Sequence, residues 1–258
     1  VDWSRYNGKT TMRDAVDAFG LCGVMARCSI GASYKDPYYD WNHEQARILG
    51  ILFGAYHVLR PWDRQPLKEA DEFAKKMLTD GDKPDFAVGD YELPNTPADW
   101  KLITAKEVGQ QIVLQLPGIR DRTGLVVLTY SGSWWWGSPS HLSCAPLGIE
   151  TMFPLIEAEY VAKSTPKGKV TWAQAPEAPR LPTPGAGWRK EDIVGWQWTD
   201  SLVGTGCGPD GNKYQDGDVL IPTYEEFLVM IGKKAQVTDK AKLEILWVHH
   251  PELHPEAP

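Results

Sequence analysis

Ile51-Leu52-Phe53-Gly54-Ala55-Tyr56-His57-Val58, the segment Pro66 to Leu78, and Phe86-Ala87-Val88-Gly89-Asp90-Tyr91-Glu92-Leu93 together decide the fold. The outer two are apolar runs of strand length. The middle one has apolar residues at helical spacing and a proline near its start, a favoured place for a residue without an N–H. Strand, helix, strand with short connections is the unit from which parallel sheets are built. In the third segment, residues i and i+2 share a face, so Asp90 and Glu92 point into one space at the end of a buried strand. Two carboxyls held that close cannot both ionise freely, and one of them is pushed toward its protonated form. A protonated acid beside an ionised carboxylate is the equipment of glycoside hydrolysis, although two solvated acids at a strand end would give the same pattern.

The same alternation continues outward from this unit. Val1 to Ser4 reads as a short strand, Met12 to Phe19 as a helix, Gly23 to Ile30 as a strand and Tyr39 to Leu49 as a helix. Downstream, Thr104 to Leu116 is helical, Leu125 to Tyr130 a buried strand and Gly148 to Phe153 a helical turn stopped by Pro154. Glu157 to Val161 and Ile193 to Trp198 read as strands, separated by a proline- and glycine-rich loop from Ser164 to Trp188. The fold class is therefore α/β, an irregular (β/α) barrel with a mainly parallel sheet and fewer helices than a full eightfold barrel. Such sheets carry chemistry at the C-terminal ends of their strands, where Asp2, His57, Asp90, Glu92, Tyr130 and Gln197 fall. Beyond residue 228 the character changes: residues 229–258 read as a helical appendage or linker, and residues 1–228 as the domain. The tail histidines His249, His250 and His254 read as surface residues, not metal ligands.

Composition narrows the function classes. A chain of 258 residues, 42% hydrophobic and 24% charged, matches an ordinary globular domain, and its net charge of -7 argues against general nucleic-acid affinity. No apolar run reaches membrane-spanning length, and the first residues show no basic-then-apolar signal pattern. Cys22, Cys28, Cys144 and Cys207 have no C-x-x-C spacing, so buried thiols are favoured over a metal or redox site, with a disulfide left open. Twelve tryptophans are many, and exposed Trp and Tyr faces stack on sugar rings.

The ordered motifs resemble family 25 of the glycoside hydrolases, the Chalaropsis-type lysozymes. Val1-Asp2-Trp3-Ser4-Arg5-Tyr6-Asn7-Gly8 is similar to the opening D-x-S-x-x-x-G segment of that family. Asp36-Pro37 with Asn42, and then Gly54-Ala55-Tyr56-His57, resemble its next two motifs, and Asp90-Tyr91-Glu92 stands where the family carries its catalytic D-x-E. Tyr130-Ser131 with Trp134, and Trp196-Gln197-Trp198, look like the later sugar-side segments. The resemblance runs from residue 1 to about residue 228. It departs at Arg27-Cys28-Ser29-Ile30-Gly31, where many members have a glutamate, and at Gln215-Asp216-Gly217-Asp218-Val219-Leu220, which lacks the usual V-D-x-N. Asp218 is the choice for the late family aspartate, and Asp216 the alternative.

The resemblance implies an N-acetylmuramidase that cleaves the β-1,4 bond between N-acetylmuramic acid and N-acetylglucosamine in bacterial peptidoglycan. Glu92 is then the general acid and Asp90 the ionised stabiliser, with Asp2 and Asp218 completing an acidic floor. Tyr56, Tyr130 and Gln197 are placed at the sugar or around Asp90, Trp134 and Trp196 as stacking platforms, and His57 as a structural histidine. Two acids on one strand face cannot flank a glycosidic bond as an acid and a protein nucleophile do. A retaining route in which the substrate's own 2-acetamido oxygen attacks fits better. This chemistry calls for no metal or cofactor. The expected setting is a monomer acting on the host wall after release as a phage endolysin, or as a secreted enzyme, without membrane insertion. A non-catalytic peptidoglycan-binding module on the same fold is the rival, and a zinc amidase or cysteine peptidase is disfavoured by the spacing of His, Asp and Cys.

Overall fold

Alternation of side chains along each strand divides the interior into two layers. In β5 (Phe86–Asp90), Phe86, Val88 and Asp90 face one side and Ala87 and Gly89 the other, and the whole strand is buried. The computed structural model describes residues 1–92, 103–132, 148, 152–160, 188–203, 207 and 214–233. Its other strands are β1 (Asp2–Trp3), β2 (Gly23–Ile30), β3 (Tyr34–Lys35), β4 (Leu52–Val58), β6 (Val127–Gly132), β7 (Leu155–Ala158), β8 (Ile193–Val203) and β9 (Tyr214–Leu220). The helices among the described residues are α1 (Met12–Phe19), α2 (Tyr39–Leu49), α3 (Pro66–Lys76), α4 (Ala105–Thr123) and α5 (Tyr224–Met230).

The strands hydrogen-bond in the order β1-β9-β8-β7-β6-β5-β4-β2, and β1 also pairs with β2, which closes the barrel. All of these pairings are parallel except those of β9, which runs antiparallel to both β1 and β8. β3 adds an antiparallel edge strand to β2. The result is the irregular α/β barrel with few helices read from the sequence.

Outside the barrel, Val24, Ala26, Phe53, Ala55, Ala87 and Val127 pack against the apolar stripes of α1 to α4 in one continuous core. Inside, Met25, Phe86, Val88, Leu128 and Ile156 form a second core, which α5 closes from below through Phe227 and Leu228. The Phe86 and Phe227 rings meet edge to face at 5.3 Å. Room for Phe86 comes from Gly54, where an added Cβ would lie 2.5 Å from the ring. The apolar filling thus occupies the N-terminal half of the barrel and leaves the C-terminal mouth to polar groups.

Helix ends follow local chemistry. Thr104 caps α4 in a reciprocal box with Glu107, and α1 and α2 stop at Gly20 and Gly50, both left-handed with φ 63°. Several boundaries differ from expectation. α4 continues through Pro117 to Thr123, because a proline inside a well-packed helix removes one hydrogen bond without undoing the buried contacts of Leu116 and Ile119. β7 begins at Leu155, upstream of the expected Glu157. The proposed domain limit after residue 228 falls inside α5, and the tail from residue 234 lies outside the described residues, as do residues 149–151 of the Gly148–Phe153 segment. No helix among the described residues is long and apolar enough to cross a membrane.

Candidate active site

The mouth of the barrel gathers one or two polar side chains from nearly every strand. Asp2 comes from β1, Arg27 from β2, Tyr56 from β4, Asp90 from the last position of β5, Tyr130 from β6, Gln197 from β8 and Asp216 from β9. Glu92 follows β5, Tyr160 follows β7, and both line the same cleft. The strand register explains this layer: Asp90 pairs with Val58 on one side and Tyr130 on the other, while Asp2 pairs with Asp216.

The Asp90-Tyr91-Glu92 segment is held on three sides. Asp90 O accepts from Leu59 N at 3.2 Å, Tyr91 N donates to Tyr130 O at 3.0 Å, and Ser131 Oγ donates to Tyr91 O at 2.6 Å. Tyr91 points away from the cleft, as its place between the two acids requires. Its hydroxyl donates to Gln115 Oε1 at 3.2 Å, and Gln115 Nε2 donates to Glu69 Oε2 at 3.1 Å. The side chain folds back over Gly89, where an added Cβ would meet the Tyr91 hydroxyl at 2.7 Å.

The electrostatics are dominated by unmatched carboxyls. Asp2, Asp90, Glu92 and Asp216 share the cleft with one guanidinium, Arg27, which is already paired with Asp36 at 2.9 Å. Burial, then the nearby Glu92 and Asp2 charges, hold the Asp90 carboxyl well above the usual range, against the pull of Arg27. Asp2 is pushed up to about 7, by burial first and by Asp218 next. Asp216 is also pushed well up by burial and by Asp2. Glu92 is raised by the crowding of protein around its carboxyl, with the Tyr130 hydroxyl and Arg27 opposing, although its side chain as a whole stands exposed at the cleft rim. Burial keeps the Tyr56 and Tyr130 phenols protonated, with values well above normal. At neutral pH this set holds protons that free carboxyls would have lost.

Gln197 ties the cleft together. Its Nε2 donates to Asp2 Oδ2 at 2.8 Å, and its Oε1 accepts from the Tyr130 and Tyr160 hydroxyls at 2.6 and 2.8 Å. Asp2, Asp90, Glu92, Tyr56, Tyr130 and Gln197 are thus the sequence-expected residues that the fold brings together.

Two expected positions change. The late acid of the cleft is Asp216; Asp218 is not among its lining residues, and one of its oxygens lies 3.2 Å from the Val1 amino nitrogen. The reason is strand direction. Because β9 is antiparallel to its neighbours, its earlier residues are the ones at the mouth, and Asp218 sits one step deeper. Trp196, expected as a stacking platform, alternates with Gln197 and so faces away from the cleft; it is 1% exposed, and its Nε1 donates to Glu159 O. Trp134 lies outside the described residues. His57 is on the outer face of β4, fully buried, with Nδ1 2.8 Å from Ser29 Oγ and Nε2 3.0 Å from Glu69 Oε2.

Arg27 and Tyr160 were absent from the sequence-expected set. Arg27 stands two residues beyond Met25, on the inward face of β2, and that alternation was the available signal. Tyr160 lies beyond the end of β7, where no periodicity marks its direction.

Comparison with known proteins agrees with this architecture. A family model described as glycosyl hydrolases family 25 matches residues 1–207. The protein YegX of Escherichia coli O6:H1, described as uncharacterized, is 26% identical over 172 residues, covering 67% of this chain and 56% of that protein. The chain thus spans little more than half the length of this curated relative. Among solved structures, a bacterial lysozyme from Streptomyces coelicolor superposes with a TM-score of 0.66 at 20% identity, over 90% of this chain and 95% of the other. A muramidase from Acremonium alcalophilum gives 0.66 at 19% identity, over 90% and 98%, and the CTP1L endolysin 0.60 at 21%, over 90% and 68%. The extent of the family match, carried on a barrel of the same fold, means that this chain belongs to glycosyl hydrolase family 25.

Proposed function

We propose that this protein hydrolyses the β-1,4 bond between N-acetylmuramic acid and N-acetylglucosamine in bacterial peptidoglycan, by a retaining, substrate-assisted route. Family membership and the lysozyme, muramidase and endolysin relatives support the substrate class. One observation carries the route. Asp90 Oδ1 is buried and has no hydrogen-bond partner among the described residues, in a cleft that it shares with Glu92. A buried acceptor left open is costly unless a donor arrives with the ligand, and the N–H of a 2-acetamido group is such a donor.

Glu92 gives its proton to the leaving glycosidic oxygen as the acetamido oxygen bonds to the anomeric carbon, forming an oxazolinium ion. Asp90 accepts the N–H of that ion, and the positive charge favours the ionised carboxylate that burial otherwise disfavours. Water, deprotonated by Glu92, then attacks the anomeric carbon from the face of the departed group. The C–O bond to the acetamido oxygen breaks and configuration is retained. Asp2, Asp216 and Gln197 set the charge and hydrogen bonding around this pair. The protein acts at the bacterial wall, as a phage endolysin or a secreted enzyme, and works as a monomer without cofactor.

Mass analysis of products from purified walls tests the bond: reducing muramic acid ends are expected, and reducing glucosamine ends or cleaved peptides would refute it. Walls whose muramic acid lacks the N-acetyl group test the route. They should resist cleavage, and turnover at the normal rate would exclude the acetamido nucleophile.

A further inference from the structure

We propose that Arg27 and Arg5 form a carboxylate-binding subsite beside Tyr6 at one side of the cleft, and that its ligand is an acid carried on the lactyl arm of the muramic acid unit. The inference rests on the reading of the cleft as a muramidase site, and it names a group of the substrate that the chemical step does not use. Both guanidiniums reach the same two rings. The Arg27 guanidinium carbon lies 5.2 Å from the centre of the Tyr6 ring and 5.9 Å from that of Tyr34, and the Arg5 carbon lies 5.0 and 5.7 Å from the same centres. Arg27 and Tyr6 line the cleft, and Tyr6 is 55% exposed. One carboxylate serves this corner. Asp36, itself buried, accepts Arg27 Nε–H and the Arg5 backbone N–H on Oδ2, both at 3.0 Å, and the Tyr38 N–H on Oδ1 at 3.1 Å. Those bonds tie the opening turn of the chain to β2, a structural reason for Asp36 and for Arg27 Nε.

Two features go beyond that structural reason. Arg27 is only 7% exposed, and its Nη2, though 2.9 Å from Asp36 Oδ2, is aimed past that oxygen and is buried without a hydrogen bond. The Arg5 guanidinium meets the Tyr6 hydroxyl at 3.4 Å and no carboxylate among the described residues. Two cations against one anion leave a positive charge unbalanced, and a buried charged donor left open is costly until an acceptor arrives. The planar fork of a guanidinium matches a carboxylate. Strand register places the subsite beside the reacting sugar. Arg27 pairs with Tyr56 on β4, and Tyr56 with Val88, two residues before Asp90 on β5. Arg27 and Asp90 are thus two strands apart, about 10 Å across the sheet. With the C2 acetamido group against Asp90, the lactyl ether on C3 is the next substituent around the ring, and its arm and the arginine side chain together span that gap. Elsewhere the described lining of the cleft offers an acid only carboxyls and neutral groups. Two acids have this chemistry: the lactyl carboxylate itself where the glycan carries no peptide, and a carboxylate of an attached peptide.

Calorimetric titration of the Glu92→Gln protein reads binding without turnover. The probes are a soluble glycan of N-acetylglucosamine and N-acetylmuramic acid with its lactyl acids free, the same glycan with those acids converted to methylamides, and peptide-bearing glycans with the peptide carboxylates free or amidated. A free acid should bind about tenfold more tightly than its neutral counterpart, a modest yield for a charge-assisted hydrogen bond, and added salt should shrink the difference. A preference confined to the lactyl pair or to the peptide pair supports the subsite and identifies which acid it takes. Arg5→Gln, at an exposed position, should remove most of the preference. Arg27→Lys, which keeps a charge facing Asp36 but loses the fork, should reduce it; if that variant does not fold, Arg5→Gln decides alone. Equal affinities within both pairs, or a preference undiminished in Arg5→Gln, overturns the proposal. Absence of reducing muramic ends from wild-type digests would remove the muramidase reading, whereas the titration, which needs no turnover, would still decide the carboxylate preference.

Discussion

The barrel carries two polar clusters made from the same few residues of sequence, one inside its mouth and one behind its wall. Tyr56 faces in and His57 out; Asp90 and Glu92 face in and Tyr91 out. The outer cluster joins Ser29, His57, Glu69, Gln115 and Tyr91, and by residue type Ser29-His57-Glu69 has the composition of a nucleophilic triad. Yet His57, Glu69 and Ser29 are all 0% exposed. Glu69 Oε2 gathers donors from His57, Gln115 and the Arg60 backbone, so one carboxyl oxygen meets several donors. The inner cluster does the reverse, crowding four carboxyls around one cation that Asp36 already holds. Composition alone would rank the triad first. Access and charge balance are the grounds on which we propose stability for the outer set and chemistry for the inner one.

Replacing one residue in each cluster should separate these roles. Glu92→Gln removes the transferable proton with almost no change of shape, and lysis of purified walls should fall by about 10²–10⁴-fold while the melting temperature holds or rises. Turbidity loss at the wild-type rate would take Glu92 out of the mechanism. Glu69→Ala should behave oppositely. It strands His57, Gln115 and the Arg60 N–H without their acceptor, a loss of about 3–5 kcal/mol and roughly 10 °C in melting temperature. The protein that remains folded should keep turnover far above that of Glu92→Gln. If it does not, the two clusters work as one unit.

This division was only half legible in the sequence. Phe86 to Glu92 could be read because an apolar run with acids at i and i+2 fixes both the element and the shared face. The βαβ order from Leu52 to Asp90 could be read for the same reason. β9 could not: Tyr214-Gln-Asp-Gly-Asp-Val-Leu220 alternates without an apolar run, and its hydrogen bonds come from β1 and β8, distant in sequence. Nothing local shows that it runs antiparallel, and direction alone decides between Asp216 and Asp218. Trp196 and Gln197 show the same limit on a smaller scale. Their strand was recognisable, but which neighbour faces the cleft depends on register across the barrel.

The inner cluster's excess charge has a pH signature. Asp2 is pushed to about 7 in the folded chain from an ordinary value of 3.8. The folded state therefore keeps a proton that the unfolded state has lost above about pH 4. Stability linked to this group is fully present below that pH and is lost as pH rises through about 7. Asp2→Asn carries no such titration. Its melting temperature should gain on the wild type across that window, by roughly 2 kcal/mol in stability after discounting for the partial exposure of Asp2. A pH-independent difference between the two proteins would show that the inner acids are not in conflict.

The smallest effect probes the one residue that belongs to both clusters by position. Tyr91 lies between the two acids in the chain, yet its hydroxyl reaches outward to Gln115 and the Glu69 network. Tyr91→Phe removes that hydrogen bond while the ring stays over Gly89, and the backbone holds from Tyr130 and Ser131 remain. Loss of one buried neutral hydrogen bond predicts about 1 kcal/mol, or about 2–4 °C by thermal melting. Turnover should stay within about threefold, because the acids are positioned by strand register and backbone contacts that the hydroxyl does not make. A kcat loss of a hundredfold at unchanged melting temperature would mean that the outer network aims Glu92 through Tyr91, and the wall between the clusters would then be part of the catalytic apparatus.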